Sequence, residues 1–288
     1  MAKQTVSRTA LGAAVCRMIE QYQPENTRLF YDPIEQELVG GAIRWMMQFA
    51  SLRDFMVKRT DALAKGVYGV QICRTRYIDD ALRSATSKGI NQVVILGAGY
   101  DTRAYRLPEL QNAKVFEVDL PVVQADKKKK LQRYLSQLPG NVTYIPIDFD
   151  TQTLETVFSE TNFDGQVSTV YIWEGVTQYL SEEAVRQTFS FVGKSTPGSL
   201  IMFTYVLKSI IERRSDIPDA NHIMEVIAEL SPWIFGLEPS SISDFLRPFH
   251  LTMVADVGNQ DYQEKYLKPM GRELDVFEGE RIAQAVID

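Results

Sequence analysis

Cysteine and histidine are scarce in this sequence, which limits the chemistry that it can carry. The 288 residues include two cysteines, Cys16 and Cys73, and two histidines, His222 and His250. Two cysteines far apart in the chain provide neither a disulfide framework nor the ligand spacing of a metal cluster. The sequence therefore predicts no metal site and no disulfide-stabilised scaffold.

Long apolar runs and an excess of basic charge are also missing. No stretch approaches the roughly 20 apolar residues of a membrane-spanning helix, and the polar first ten residues lack the apolar core of a signal peptide. The formal net charge of -6 argues against nucleic acid as a partner, because nucleic acid favours a basic surface. We therefore expect a cytoplasmic protein that binds neither membrane nor nucleic acid.

The spacing of apolar residues changes near residue 89. Before that point, apolar residues recur at helical intervals, which predicts helices over residues 10–22, 43–56 and 70–82. After it, apolar runs rich in β-branched residues alternate with helical segments, and this alternation predicts right-handed crossovers and a mainly parallel sheet. The first five strands are predicted at residues 92–96, 114–118, 142–147, 169–173 and 200–205.

The last part of the chain breaks this alternation. Two further strands are predicted at residues 252–257 and 282–287 without a strong crossover helix between them, which favours an antiparallel hairpin at the sheet edge. The segment 208–247 is too long for a simple connection and is predicted to be a helical lid. The chain is therefore expected to form one domain with a helical cap (1–88), a core (89–205), a lid insertion (206–247) and a terminal hairpin (248–288).

The most informative motif is the turn that follows the first predicted strand. A β-branched run stops at Gly97-Ala98-Gly99, and the next apolar run ends in Asp119. Such a turn lets the backbone approach a nucleoside, and an acid after the second strand accepts hydrogen bonds from ribose hydroxyls. Tyr100-Asp101-Thr102 follows the turn, so the third glycine of the dinucleotide fingerprint is missing. A ligand without phosphates does not need that glycine.

Two more acids follow later strands of the predicted sheet, Asp148 and Glu174. Because the carboxyl ends of parallel strands share one crevice, these acids are predicted to converge with Asp119. Several carboxylates would repel a pyrophosphate but suit a sulfonium with an ammonium group. The sequence thus favours S-adenosyl-L-methionine over a dinucleotide. An NAD-dependent oxidoreductase and a non-catalytic regulatory protein that keeps the cofactor pocket remain alternatives.

Motifs spread over residues 30–180 then give a more specific indication. They are Phe30-Tyr31-Asp32-Pro33, Arg74-Thr75-Arg76-Tyr77-Ile78-Asp79-Asp80, the run 96–107 around the glycine turn, Phe116-Glu117-Val118-Asp119-Leu120-Pro121, Asp148-Phe149 and Trp173-Glu174-Gly175-Val176-Thr177-Gln178-Tyr179-Leu180. In this order they resemble the leucine carboxyl methyltransferase family of S-adenosyl-L-methionine-dependent O-methyltransferases. The resemblance implies a Rossmann-like class I methyltransferase fold with a seven-stranded sheet.

The resemblance also implies which residues hold the methionine end of the cofactor. Arg74 matches the arginine that grips the methionine carboxylate, and Glu174 matches an acid near the methionine amino group. Gly97 matches the glycine whose backbone lies against the methionine part, with Gly99 in the same turn. The alternatives from the residues alone are a surface ion pair for Arg74 and an ordinary tight turn for the two glycines.

The adenosine end is implied in the same way. Asp119 matches the acid on the ribose hydroxyls, and Asp148 and Phe149 match the pair that reaches the adenine. Either aspartate could instead cap the helix predicted to follow it. Asp101 and Arg103, although they match the family, are expected to form a helix cap and a buried scaffold pair.

The acceptor is less well defined than the cofactor. A carboxylate is already ionised near neutral pH, whereas an alcohol or phenol needs a base, so the scarcity of histidine favours a carboxylate or an acidic hydroxyl. Candidates to contact the substrate are Tyr179, Tyr205 and His222. Apolar residues in the lid favour a small hydrophobic molecule. No motif beyond residue 180 matches a groove for a protein substrate, and the oligomeric state stays open.

Overall fold

One seven-stranded sheet organises the described part of the chain, in the strand order β3-β2-β1-β4-β5-β7-β6. The computed structural model describes residues 2–62, 65–149 and 151–288, without the side chains of 2–9, 229 and 230. The first five strands pair in parallel, whereas β7 is antiparallel to both β5 and β6. The strands are β1 (Gln92–Leu96), β2 (Lys114–Asp119), β3 (Val142–Pro146), β4 (Thr169–Trp173), β5 (Leu200–Val206), β6 (Leu251–Val257) and β7 (Glu280–Ile287).

This architecture confirms the predicted fold, including the antiparallel terminal pair. Two differences in strand bounds matter for the site. The second strand extends one residue beyond its predicted end and includes Asp119, and the last strand begins two residues early, at Glu280. Both acids are therefore held at the end of a paired strand, so the sheet fixes the position of their backbone.

Thirteen α-helical segments accompany the sheet in the described ranges. They are α1 (Ala2–Glu20), α2 (Glu35–Val39), α3 (Gly41–Met46), α4 (Ala50–Asp61), α5 (Val67–Ser87), α6 (Arg103–Arg106), α7 (Pro121–Tyr134), α8 (Leu154–Ser159), α9 (Glu182–Val192), α10 (Lys208–Ile211), α11 (Ala220–Leu230), α12 (Ile242–Leu246) and α13 (Asn259–Tyr262). The single helix predicted over 43–56 is wrong. It is two helices, because Phe49 adopts an extended conformation between α3 and α4. Within the same ranges, no helix has the length and apolarity of a membrane span.

Both faces of the sheet are buried. Val93 and Ile95 of β1 pack into one apolar cluster with α1 and α5, whereas Val94 and Leu96 pack into a second cluster with α8, α9 and α12. A parallel strand covered on both faces needs apolar residues at successive positions, which explains the uninterrupted apolar run of β1.

The segment between β5 and β6, residues 207–250, is called the lid segment here. Its helices α10, α11 and α12 are short, so the long helical character expected from the sequence is only partly present. The segment returns to where it began, since the Leu237 amide donates to the Val206 carbonyl at 3.0 Å and the Lys208 amide donates to the Leu237 carbonyl at 3.1 Å. This closure attaches the lid segment to the end of β5.

The four consecutive lysines 127–130 do not form the solvated helix face that a charge run predicts. Lys127 is 1% exposed, and its Nζ lies 2.8 Å from Oε2 of the buried Glu117. Lys130 pairs with Asp126 on the surface of the same helix. The run therefore combines a buried structural cation with a half-buried one.

A network of buried charges ties α5 to α6 and to the N-terminal segment. Asp79 is fully buried and accepts from Nε of Arg103 at 2.9 Å and from Nη1 of Arg106 at 2.7 Å. Nε of Arg106 lies 3.2 Å from Asp32, which precedes α2. Each of these charges is paired, as buried charges must be.

Asp79→Asn is expected to destabilise the protein by about 3–5 kcal/mol, because it removes one partner from a buried ion network. Burial alone would raise the pKa of Asp79, but Arg106 and Arg103 outweigh burial and lower it. The stabilisation is therefore present above the unfolded pKa of about 3.9 and is lost as the pH falls through the lower folded value. Urea unfolding of both proteins between neutral and acidic pH measures the difference.

Asp80→Asn is the matched control for this prediction. The Asp80 carboxylate is 29% exposed and pairs with Arg76 and Arg83 on the helix surface. Its substitution should cost about 1 kcal/mol or less. Equal losses for the two variants would contradict the role assigned to Asp79.

Candidate active site

A cavity of about 690 Å³ lies where the chain leaves the carboxyl ends of β1, β2 and β4. Between β1 and β4 the strand order reverses direction along the sheet. Open α/β sheets bind their ligands at such a switch point. Side chains of α1, α5 and the lid segment complete the wall. The cavity is thus the candidate site.

The glycine turn forms the floor of the cavity after β1. Gly97 and Gly99 both have positive φ, at +65° and +43°, a conformation that glycine adopts without steric penalty. A Cβ at Gly97 would collide with the Val176 side chain. Packing within the protein therefore already requires glycine at position 97, whether or not a ligand lies above it.

Asp119 closes the same turn from the end of β2. Its carboxylate accepts from the Gly99 amide at 2.5 Å and from the Leu120 amide at 2.6 Å. Burial raises its pKa, and these two backbone donors oppose the rise. The helix that follows begins without a side-chain cap, so the capping alternative for Asp119 has no support. The carboxylate lines the cavity next to the glycine turn.

Arg74, Glu174 and Glu280 form a buried charged group at one end of the cavity. Nε of Arg74 donates to Oε1 of Glu174 at 2.8 Å, and its Nη1 donates to Glu280. All three residues line the cavity. Arg74 is 4% exposed, which excludes the alternative of a surface pair with Asp79 or Asp80.

Arg103 of α6 contacts this charged group without lining the cavity. Its Nη1 donates to Oε2 of Glu174 at 2.7 Å and also to Asp101. The Asp101 carboxylate accepts from the Arg103 amide at 2.7 Å, so this pair forms the buried scaffold expected from the sequence. Burial alone would raise the pKa of Glu174, but Arg103 and Arg74 outweigh burial and lower it to about 2. Glu174 is therefore ionised across the physiological range.

Arg17 is a cavity residue that the sequence analysis missed. It lies in α1, and its Nη2 donates to Glu35 at 2.7 Å and to the Tyr100 carbonyl at 3.0 Å. Its Nε is buried without a hydrogen-bond partner. The sequence does contain a local indication, since Arg17 interrupts the apolar run of residues 13–19. Glu280 was missed as well, because β7 begins earlier than predicted.

The far end of the crevice carries Asp148 and Phe149, which follow β3 and both line the cavity. The next helix, α8, is capped by the Thr153 hydroxyl, which accepts from the Thr156 amide at 3.3 Å. Asp148 therefore does not serve as the cap of α8. Phe149 is half-buried and packs partly against the second apolar cluster.

Of the three residues expected near the substrate, the structure places one in the cavity. Tyr179 lines it, together with Trp233 and Ile223 of the lid segment. Tyr205 is buried in the sheet core with its hydroxyl donating to Asp256 at 2.9 Å, and it does not line the cavity. His222 is exposed on the outer face of α11 and does not line the cavity either. The structure therefore brings neither Tyr205 nor His222 to the cavity.

The sequence of the chain is similar to those of known protein families and relatives. A sequence profile of the leucine carboxyl methyltransferase family matches residues 10–193. A Streptomyces coelicolor protein is 31% identical over 206 residues, which cover 71% of each chain. A Mycolicibacterium smegmatis protein is 33% identical over 204 residues, covering 69% of this chain and 63% of the relative. Both relatives are named as S-adenosyl-L-methionine-dependent methyltransferases.

The fold has solved counterparts as well. A methyltransferase structure from Thermobifida fusca has a TM-score of 0.64 at 16% identity and covers 88% of this chain and 93% of its own. A structure from Streptomyces avermitilis has a TM-score of 0.57 at 13% identity and covers 96% and 97%. At these identities the likeness concerns the fold. The profile match spans more than half of the chain and confirms the resemblance stated from the motifs: the chain belongs to the leucine carboxyl methyltransferase family.

Proposed function

We propose that this protein is an S-adenosyl-L-methionine-dependent O-methyltransferase that methylates a carboxylate or an acidic hydroxyl of a small hydrophobic molecule. The composition of the cavity wall carries the proposal. Among the described residues it holds two arginines and five acids but neither histidine nor lysine. Such a wall suits a ligand whose positive charges outnumber its single carboxylate, and it offers no histidine as a general base for the acceptor.

The methionine part of the cofactor fits the end of the cavity that carries Arg17 and Arg74. A carboxylate there would accept from the unpartnered Nε of Arg17, and a guanidinium suits a carboxylate well. Arg74 already donates to Glu174 and Glu280. We therefore assign it the role of offsetting the charge of these two acids as well as that of the cofactor carboxylate. Glu174 stays ionised and can accept from an ammonium group.

The adenosine part fits the turn and the crevice beyond it. Asp119 would accept from the ribose hydroxyls, and Asp148 and Phe149 would contact the adenine edge and face. When bound, S-adenosyl-L-methionine supplies an electrophilic methyl group on a sulfonium. The residues of the chain align the acceptor with that group and exclude water, which is the main contribution that an enzyme can make to an in-line displacement.

We favour an acceptor that arrives ionised. Apart from Asp119 and Asp148, which we assign to the cofactor, the ionisable groups of the wall are either protonated near neutral pH or paired with arginines. Burial raises the pKa of Tyr179, and burial raises the pKa of Cys16 to about 12. Asp101, Glu174 and Glu280 are paired with arginines. A carboxylate needs no base near neutral pH, which is why we favour carboxyl methylation.

The two alternatives make different binding predictions. An NAD-dependent oxidoreductase should bind NAD more tightly than S-adenosyl-L-methionine. The acids of the cavity argue against this, because they would repel the pyrophosphate of NAD. A non-catalytic binding protein should bind S-adenosyl-L-methionine without any turnover. Calorimetry with both cofactors, followed by transfer of a labelled methyl group to a panel of acids and phenols, separates the three. Label found on nitrogen or carbon instead of oxygen would contradict O-methylation.

Asp119→Ala is expected to weaken cofactor binding by about 1–3 kcal/mol, because a buried acceptor for the ribose diol is lost. S-adenosylhomocysteine and 5′-methylthioadenosine should both bind more weakly, since both contain the ribose. Asp244→Ala is the control, because Asp244 is exposed, pairs with Arg247 on the surface and does not line the cavity. Unchanged affinity in a folded Asp119→Ala protein would refute the ribose assignment.

Arg17→Met is expected to weaken the binding of S-adenosylhomocysteine by about ten-fold or more, because a charge-assisted hydrogen bond to the amino-acid carboxylate of the ligand is lost. The affinity for 5′-methylthioadenosine, which lacks that carboxylate, should change by less than about two-fold. The pair of ligands thus separates Arg17 from Asp119 in the same titration. Arg17→Lys keeps a positive charge and should recover part of the affinity. Equal losses for the two ligands would assign Arg17 to the scaffold.

A further inference from the structure

Glu35 is the buried partner of Arg17 and lies behind the cavity wall. Its Oε1 accepts from Nη2 of Arg17 at 2.7 Å. Glu35 is 0% exposed and does not line the cavity, whereas Arg17 does. The same Nη2 donates to the Tyr100 carbonyl at 3.0 Å. Two acceptors thus hold one end of the guanidinium, and Nε of Arg17, which has no partner, remains for a ligand.

A second buried carboxyl group, that of Asp32, lies beside Glu35. Asp32 is also 0% exposed. Its Oδ1 accepts from the Ile34 amide at 3.2 Å and from the Glu35 amide at 3.1 Å, and its Oδ2 accepts from the Thr102 hydroxyl. A carboxylate has about four acceptor positions, so the Asp32 carboxylate keeps one of them for a further donor.

The second oxygen of Glu35 lacks such a donor. Oε2 is buried without a hydrogen-bond partner, although the Asp32 carboxyl lies within hydrogen-bonding range of Glu35. Two ionised carboxylates cannot bond to each other, because each of them only accepts. One proton between the two residues removes the difficulty, since Glu35 then donates to Asp32 and still accepts from Arg17.

The buried ion pairs around this site also contain more carboxyl groups than cations. They join four arginines of α1, α5 and α6 to six carboxyl groups. If every carboxyl were ionised, two negative charges would have no cation of their own, which is costly in a buried site. A proton on Glu35 reduces this excess. The six carboxyl groups are those of Asp32, Glu35, Asp79, Asp101, Glu174 and Glu280.

The charges that act on Glu35 agree with a bound proton. Burial raises the pKa of Glu35 to about 8, Arg17 opposes the rise, and Asp32 adds to it. The helices packed against α2 are α1, α3 and α7, and further charged groups on them have partners of their own. Those pairs are Glu20 with Arg272, Arg44 with Glu37, Lys127 with Glu117 and Lys130 with Asp126.

We infer that Glu35 positions Arg17 for the carboxylate of the cofactor and shares one proton with Asp32, so that the charge of Arg17 stays available to that carboxylate. The inference rests on the proposed function, because it takes Arg17 as the partner of the methionine carboxylate. Glu35 does not line the cavity, so it is a positioning residue that acts through Arg17.

Arg17 does not need an ionised Glu35 to keep its own charge. Burial alone would lower the pKa of Arg17, whereas nearby carboxylates, first of all Glu35, raise it. Glu174 and Asp101 are among these carboxylates, and both remain when Glu35 carries a proton. The guanidinium is then less fully neutralised within the protein and binds a ligand carboxylate more strongly.

Binding of the cofactor and binding of the proton are therefore linked. A ligand carboxylate on Arg17 brings a further negative charge towards Glu35 and raises the pKa of Glu35 again. Binding thus takes up a proton wherever Glu35 of the free protein is ionised. The affinity for S-adenosylhomocysteine should be level below about pH 7 and should fall as the pH rises through the Glu35 pKa of about 8.

Calorimetry of the wild-type protein in two buffers with different ionisation enthalpies counts these protons. At about pH 8, S-adenosylhomocysteine should bind with uptake of about half a proton. The ligand 5′-methylthioadenosine, which lacks the carboxylate, should bind without uptake. This measurement needs no variant, so it tests the inference even where a substituted protein fails to fold.

Glu35→Gln imitates the protonated carboxyl, because its amide can donate to Asp32 and its oxygen can accept from Arg17. Its affinity for S-adenosylhomocysteine should lie within about two-fold of wild type at neutral pH. Between about pH 7 and about pH 9, the wild type should lose affinity by about five-fold or more relative to Glu35→Gln. The amino group of the ligand titrates equally in both proteins and leaves this ratio unchanged.

Two further variants complete the test. Glu35→Ala removes the support of Arg17 and should weaken S-adenosylhomocysteine binding by about three-fold or more, with 5′-methylthioadenosine changed by less than about two-fold. Glu37→Gln is the control, because Glu37 lies on the same helix, pairs with Arg44 and does not line the cavity. It should follow the wild type for both ligands at every pH.

Several results would overturn the inference. They are parallel pH profiles for wild type and Glu35→Gln, equal proton uptake in these two proteins, or equal losses for the two ligands in Glu35→Ala. A ten-fold loss in Glu35→Gln at neutral pH would do so too, since the ionised carboxylate would then be what supports Arg17. Failure of the proposed function is distinguishable, because Arg17→Met would then leave the affinity for S-adenosylhomocysteine unchanged.

Discussion

The pairing of Glu174 with two arginines is the interaction on which the cavity depends. One oxygen of Glu174 holds Arg74 from α5, and the other holds Arg103 from α6. Charges this deeply buried persist only when each has a partner. The carboxylate therefore sets the relative position of two helices and the turn after β4. It also leaves the positive and negative charges at this end of the cavity nearly equal. A zwitterion that enters therefore meets partners for both of its charges.

Local patterns in the sequence predict much of this arrangement. The strands are apolar runs bounded by turns, and parallel strands bring their carboxyl ends together, so Asp119, Asp148 and Glu174 could be placed in one crevice without coordinates. Arg17 could not be placed there, because its partner Glu35 comes 18 residues later and no local pattern links them. The burial of Lys127 could not be predicted for the same reason, since its pairing with Glu117 depends on how α7 lies against β2.

The lid segment shows the limit of such patterns most clearly. Its length indicates a covering element, but which of its residues face inward depends on short helices joined by irregular backbone. His222 was expected to be near the substrate and is exposed, whereas Trp233 from the same segment reaches the cavity. Tyr205 sits on a strand in which successive side chains face opposite ways, and its hydroxyl meets Asp256 away from the cavity.

The place of β7 in the sheet has a consequence for the order in which the site is built during synthesis. This strand follows the other six strands in the sequence, yet it inserts between β5 and β6 and begins with Glu280. Until it is in place, β5 has an open edge and Arg74 has only one of its two acids beside the cavity. A nascent chain can thus assemble the glycine turn early, but it completes the charge balance of the cavity only when β7 docks.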